Sequence, residues 1–293
     1  MIENFRSEKF EASAWFHSLR DAIVARFESI EQQHQSSNPP AQFEVKETKR
    51  TSEDGSDVGG GLMSVMRNGR VFEKVGVNIS TVFGELGAQA QEAMMARKGF
   101  TGMREDPRFW ASGISVVAHM QNPHCPAVHM NTRMFWTPST WWFGGGSDLN
   151  PCIEYPEDTA QFHSVLEAHC APHGADLYPR YKAWADEYFY VPHRKRARGV
   201  GGIFYDDHCS DDWRKDFEFT QDVGRAFLLA YAPLVEAQLE RTWDAADRET
   251  QLIHRGLYTE YNLIYDRGTR FGLETGHDPD AVLMSLPPLA KWA

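Results

Sequence analysis

Residues 112–136 read SGISVVAHMQNPHCPAVHMNTRMFW. Two runs of alternating apolar residues flank QNPHCP, which has the Asn-Pro composition of a turn, so the segment predicts a β-hairpin. In an extended strand alternate residues share a face. Ser115 and His119 then lie together on the first strand, and His129, Asn131 and Arg133 on the second. Val116, Ala118, Met120, Val128, Met130 and Met134 form the opposite face. A turn centred near His124 places His119 opposite His129 and Ser115 opposite Arg133. Such a face can be the solvent side of an antiparallel sheet, although solvent faces commonly carry Lys, Glu and Thr. The other reading is a polar cavity, because burying these groups without partners costs about 1–3 kcal/mol each.

The same texture extends outward. FEVKET, GLMSVM and VFEKVGVNISTVFG, all between about residues 43 and 145, are short, β-rich and separated by Gly, Pro and Asn, which predicts a succession of strands. Upstream, residues 7–34 predict an amphipathic helix with Phe10, Ala14, Ile23, Phe27 and Ile30 near helical spacing, closed by Pro39-Pro40. Downstream, DTAQFHSVLEAHC, LYPRYKAWADEYFY and DFEFTQDVGRAFLLAYAPLVEAQLERTW predict helices, and LYTEYNLIYD (257–266) predicts a strand. No fixed-period repeat or long linker divides the chain. The expected fold class is α+β, a single domain with a large, mostly antiparallel β-sheet flanked by helices on both faces. Residues 1–42 form an N-terminal helix and polar connector packed on residues 43–293.

At 293 residues, 42% hydrophobic and 24% charged, the chain can bury a sizeable core. A net charge of -11 argues against nucleic acid or anionic membrane as partner. An anionic substrate would need a local cluster of Arg or Lys. Cys125, Cys152, Cys170 and Cys209 contain no C-x-x-C pair and read as free thiols in a reducing compartment. MIENFRSEKF has no apolar core of a secretory signal, and no run of about 18 apolar residues occurs, so the cytoplasm is expected, with no transmembrane segment. GGGLMSVM and WWFGGGSD lack both G-K-[ST] and G-x-G-x-x-G and are not nucleotide loops. Gly144–Gly146 read as a close approach of backbone to a ligand or a neighbouring strand. Trp141, Trp142 and Phe143 read as core ahead of a ring-stacking wall.

The hairpin resembles that of the oxygen-dependent coproporphyrinogen III oxidases. There a Ser, a His four residues on, an Asn-Pro turn and His-x-Asn-x-Arg occur in this order. Here they are Ser115, His119, Asn122-Pro123, His129, Asn131 and Arg133. WWFGGGSDLNP from Trp141, YPRYKAWADEYFYVPHR from Tyr178, GVGGIFYDDH from Gly199, YNLIYDRGTRFGL from Tyr261 and LMSLPP from Leu283 follow in family order. The likeness covers roughly residues 43–293, which it marks as the catalytic domain.

The resemblance implies an oxidoreductase of haem biosynthesis. Two propionates of coproporphyrinogen III become vinyl groups, giving protoporphyrinogen IX, with molecular oxygen as co-substrate, carbon dioxide released and no organic cofactor. It implies a homodimer with its interface near residues 258–293. By the same likeness Ser115, Asn131, Thr132 and Arg133 bind substrate and His129 donates a proton, a role suited to a group titrating near neutrality. His119, His129, His163 and His193 match histidines proposed to hold a divalent metal such as manganese. They form no local metal motif, and read equally as hydrogen-bonded histidines or proton relays. Asp206, Asp207 and Asp266 are candidates for the acceptor of pyrrole N–H groups or for a base. Arg267 and Arg270 are candidates for propionate binding, against a solvated loop or a salt bridge to Asp266. The run His193–Arg198 reads as charge at a cavity mouth or as a surface loop.

Two departures stand out. Thr275-Gly276-His277-Asp278 replaces a Thr-Gly-Gly-polar segment: Gly276 carries over as a substrate contact, a contact through backbone N–H survives the change, and a contact through a side-chain cation does not, since Asp278 would then repel a propionate. Gln121 stands where a basic residue or His is common. The same polar face also fits a histidine-metal hydrolase or dioxygenase, or a non-catalytic tetrapyrrole-binding protein.

Overall fold

The computed structural model describes residues 5–52, 54–98, 104–274 and 277–292. Helix α1 (Arg6–Gln33) buries Ala12, Phe16, Leu19, Ile23, Phe27 and Ile30, a stripe stepping by three or four residues. Phe10 is 74% exposed and Ala14 is exposed too. Each lies two positions from Ala12, about 200° around the helix, so the first two members of the expected stripe point outward. Glu31 of α1 is fully buried. Its carboxylate accepts the backbone N–H groups of Arg70, Val71 and Phe72, each at 2.8 Å, and so ties the helix to a strand turn with charge-assisted bonds.

The predicted strands form a meander: β1 (Glu44–Thr51), β2 (Asp57–Arg67), β3 (Phe72–Glu85), then α2 (Ala88–Lys98), β4 (Arg108–Met120), β5 (Ala127–Thr137) and β6 (Thr140–Asn150). Helices α3 (Pro156–Cys170) and α4 (Leu177–Tyr188) follow, then a short ribbon of β7 (Tyr190–Val191) with β8 (Arg196–Ala197). Strand β9 (Gly201–His208) returns to pair with β6. The sheet order is β1-β2-β3-β4-β5-β6-β9, and every pairing is antiparallel. Helices α5 (Trp213–Gln238), α6 (Ala245–Ile264), α7 (Arg267–Glu274) and α8 (Pro279–Val282) complete the chain. The fold is α+β, as expected. Among the described residues no helix is long and apolar enough to cross a membrane.

One sheet face packs on α1 and α5 in the main core, where Phe27 stacks on Phe72 at 4.8 Å and Val116, Met130 and Met134 meet Phe227 and Tyr231. On the other face, Tyr258 of α6 and Met284 meet Met63, Val65 and Val117. The functional residues lie on this second face.

Two expectations are corrected. The first concerns register: Ser115 pairs with Asn131, Val117 with His129 and Gly113 with Arg133, two residues from the expected pairing. The cause is the turn. Cys125 N–H bonds Asn122 O at 3.1 Å, Asn122 Oδ1 accepts His124 N–H at 2.9 Å, and Gln121 N–H leaves the hairpin for Val71 O. A slip of two keeps every side chain on its face, where a slip of one would have inverted them. The second concerns residues 257–266, which lie mostly in α6 and not in a strand. A capping box between Asp244 and Asp247 starts this helix well upstream. Tyr258, Tyr261, Asn262 and Tyr265 recur at helical spacing, so the β-rich composition yields to packing.

Candidate active site

A cavity of about 590 Å³ lies over the polar face of the hairpin and is lined from it by Ser115, His129, Asn131 and Arg133. The cavity reading of that face therefore holds, and β9, α4, α6 and α7 supply the remaining walls.

The first assembly is built around Arg133. Its neighbours in register are Gly113 on β4 and Gly144 on β6. A Cβ at Gly144 would lie 3.0 Å from Asp206 Oδ1 and 3.2 Å from Arg133 Nε, and one at Gly113 would lie 2.8 Å from Arg133 Cβ. The glycines thus leave room for the arginine to cross to β9, where its Nη2 donates to Asp206 Oδ1. Arg267 Nη1 stands 3.6 Å from Asp206 Oδ2, with its guanidinium 4.8 Å over the Tyr188 ring. The Asp206 carboxylate raises the pKa of Arg133 above its ordinary value. One buried carboxylate therefore holds two cations at the cavity wall.

The second assembly surrounds His129. The β5–β6 pairing sets Asp148 directly opposite it, and His129 Nδ1 donates to Asp148 Oδ1 at 2.7 Å. Asp148 also receives Arg198 Nε at 3.0 Å and Nη2 at 2.8 Å, and Asn150 Nδ2 at 2.9 Å. Arg198 is only 2% exposed and is enclosed by the rings of Phe189, Tyr258 and Tyr261 at 4.3–4.8 Å. The rest of the run, residues 193–197, is exposed as a surface loop is, and Arg198 alone departs from it. Burial opposes ionisation of Asp148, yet the Arg198 charge and the His129 hydrogen bond hold its carboxyl well below the usual carboxylate range. An ionised carboxylate only accepts, so the proton of neutral His129 sits on Nδ1 and Nε2 is the ring's acceptor. Asn131 Nδ2 lies 3.1 Å from that Nε2.

Asp266 lines the cavity and immediately precedes α7. Its Oδ2 accepts Thr269 N–H at 2.6 Å and its Oδ1 accepts the Tyr188 hydroxyl at 3.1 Å. Other expected residues stand elsewhere. Thr132 is fully buried between Ile114 and Gly145 in the ladder, on the core side. Asp207 is exposed on the opposite side of β9 from Asp206, by the strand's alternation. Arg270 is exposed and faces Glu274 at 3.9 Å. Gly276 lies outside the described residues. His277 does line the cavity, and Asp278 caps α8 through Asp280 N–H while pairing with Lys46 at 3.1 Å. Its charge is thereby matched on the protein. Gln121 is structural: its amide donates to Gly69 O at 2.9 Å.

The four histidines do not converge. His119 Nε2 donates to Ser285 O at 2.9 Å. His163 lies between the Tyr178 hydroxyl and Val200 O, and His193 between the Tyr265 hydroxyl and Glu260. His129 is committed to Asp148. Among the described residues no group of three His, Cys, Asp or Glu could hold a metal ion, so these side chains do not fit the expected manganese. His119 instead carries a pH signature. Burial, then the Arg255 charge, lowers its pKa to about 3, with Lys74 and Glu73 also nearby. A folded pKa below the unfolded value of about 6.5 means that the unfolded chain binds the extra proton. Stability should therefore fall as pH drops from about 6.5 toward 3, and His119→Gln should flatten part of that slope in urea titrations.

Asp148 and the role of Arg198 escaped the sequence reading. For Asp148 a signal existed: a two-residue turn at Pro138-Ser139 in WTPST (136–140) joins β5 to β6 and pairs 129 with 148. Nothing local marks Arg198 as buried.

Fold and cavity define an α+β protein with an enzyme-like site, since titratable groups of opposite charge converge in one pocket. The coproporphyrinogen III oxidase family model matches residues 11–293. A protein of Rickettsia bellii (strain RML369-C) named oxygen-dependent coproporphyrinogen-III oxidase is 47% identical over 283 residues, 96% of this chain and 97% of the relative. A protein of the same name from Rickettsia africae (strain ESF-5) is 46% identical over 282 residues, 96% of each chain. The chain belongs to the coproporphyrinogen III oxidase family.

Proposed function

We propose that this chain converts two propionate side chains of coproporphyrinogen III to vinyl groups with molecular oxygen, giving protoporphyrinogen IX in haem biosynthesis. The observation that carries this reading is one cavity walled by both the Arg133–Asp206–Arg267 cluster and the His129–Asp148–Arg198 chain. For each propionate, –CH2–CH2–COO⁻, O2 and H⁺ give –CH=CH2, CO2 and H2O2. A C–H bond and the bond to the carboxylate break, and two electrons pass to oxygen. No organic cofactor enters the scheme.

The cavity volume falls in the range of about 300–1,000 Å³ that encloses small ligands. Arg133 and Arg267 present forked donors for carboxylates, and Asp206 between them is placed to accept pyrrole N–H groups. Ser115 and Asn131 add hydrogen bonds, and Asp266 is held by Tyr188 as a second acceptor. His129, fixed through Nδ1, moves a proton at Nε2. That α1 (Arg6–Gln33) shares the main core supports one catalytic unit made of the N-terminal helix and connector with 43–293. Exposed Leu263, Ile264, Leu289 and Trp292 support self-association through 258–293, which sedimentation tests, and the cytoplasm is the expected compartment.

Incubation of the pure protein with coproporphyrinogen III should yield the divinyl product in air and none under argon. Tight binding without oxygen uptake would make the protein a carrier. Lack of vinyl product in air from folded protein would end the oxidase reading.

A further inference from the structure

The strand register lays three neighbouring rows of side chains across the cavity floor. Asn131 pairs with Ser115 and Ser115 with Asn78, which makes a neutral polar row. Arg133 lies between Gly113 and Gly144 in the next row. Phe135 lies between Ala111 and Trp142 in the third, with Val82 beyond Ala111. Successive rows on one face are two residues apart, about 7 Å. The floor thus passes from Arg133 to an uncharged, apolar surface in one step. That surface belongs to a small cluster of its own, with Leu86 and, from α2, Ala90 and Met94. Trp142 stacks on Phe135 at 4.5 Å and Phe135 on Phe109 at 5.7 Å, so the rings brace one another. Phe109, Ala111 and Met94 are only partly buried, and all three line the cavity together with Phe135 and Trp142. The scheme above uses none of them.

The reaction changes what the substrate presents to this floor. An anionic propionate becomes an uncharged vinyl, and this happens twice on one tetrapyrrole. Between the two events the molecule carries one vinyl group, with one decarboxylation still to come. A vinyl gives the Arg133–Asp206–Arg267 cluster nothing to bind, whereas an apolar surface binds it in proportion to the area covered. A propionate on the aromatic row would be a charge without a partner. We propose that Phe109, Ala111 and Phe135, with Met94 against them and Trp142 behind, are the seat of the first vinyl group and hold the monovinyl intermediate until its second propionate has reacted. This rests on the oxidase reading and adds a specificity surface to it. The arginine row selects for carboxylate, and the apolar row tells the product of the first step from its substrate. A buried CH2-sized carbon is worth about fourfold in affinity, so seating both vinyl carbons holds the intermediate roughly tenfold longer.

The test is a pulse–chase. Protein loaded with labelled coproporphyrinogen III is diluted in air into excess unlabelled substrate, and labelled monovinyl and divinyl products are separated. The wild type should carry most of the label through to the divinyl product. Phe109→Gln places an amide on the partly exposed part of the wall. It should raise the ratio of released monovinyl to divinyl product about tenfold, and KM for the monovinyl porphyrinogen supplied as substrate by a similar factor. KM for coproporphyrinogen III and the rate of the first decarboxylation should change by less than about threefold. Phe109→Leu, smaller but apolar, should keep most of the retention. An unchanged product ratio in both folded Phe109→Gln and folded Met94→Gln would overturn the proposal. An equal rise in KM for both porphyrinogens would also overturn it, since the wall would then grip the ring and not the vinyl. So would a wild type that loses most of its label at the monovinyl stage. A wild-type protein that forms no vinyl product fails at the underlying reading instead, so the two failures are told apart.

Discussion

Asp148→Asn should both unfold more easily and lose turnover. Arg198 is a buried guanidinium whose carboxylate partner is Asp148, through two hydrogen bonds. Breaking a buried pair on one side leaves an uncompensated charge and costs about 3–5 kcal/mol. The unfolding free energy extrapolated from urea titration should fall by that amount at unchanged slope. The pH dependence gives an independent check. The Asp148 pKa is depressed in the folded state, so its contribution is complete above the unfolded value of about 3.9 and is lost as pH falls below it. In the Asn variant that part of the acid limb should vanish, and the two stability curves should approach each other at low pH. Parallel curves from pH 7 to pH 2 would mean that the carboxylate is not what stabilises Arg198.

His129→Ala separates chemistry from folding on the same chain of residues. It removes the group proposed above to move a proton, and positioned acid–base groups contribute about 10²–10⁴-fold to rate. A fall in kcat of that size is expected. Asp148 keeps its two bonds from Arg198 in this variant, so the unfolding free energy should change by less than about 1 kcal/mol, a typical loss for one hydrogen bond. Asp148→Asn thus damages fold and rate, while His129→Ala damages rate alone. Wild-type turnover by folded His129→Ala would remove this histidine from the mechanism.

The contrast between these residues shows how much of the site could be read along the chain. Alternation in 112–136 placed Ser115, His129, Asn131 and Arg133 on one face, because a strand repeats every two residues whatever its partners. The same rule turns the Thr132 side chain to the core face, away from Asn131 and Arg133, and the Asp207 side chain away from Asp206. The register error at the hairpin changed partners without changing faces, since the slip was even. The strand expected at 257–266 failed because aromatic and β-branched composition measures fit to a half-buried surface, which a helix face offers as well.

Local sequence therefore carried what depends on short-range geometry: the strand order of the meander, most helices and the polar face of β4 and β5. It could not carry whatever depends on which distant segments meet. Arg198, Tyr258 and Asn262 converge on Asp148 and His129 only because β9 returns to β6 and α6 covers the sheet's second face. The four histidines stay apart for the same reason, since nothing in their spacing states where each one's element packs. Burial and long-range pairing convert a basic run and a tyrosine-rich helix into the wall of a cavity, and those are properties of the assembled fold.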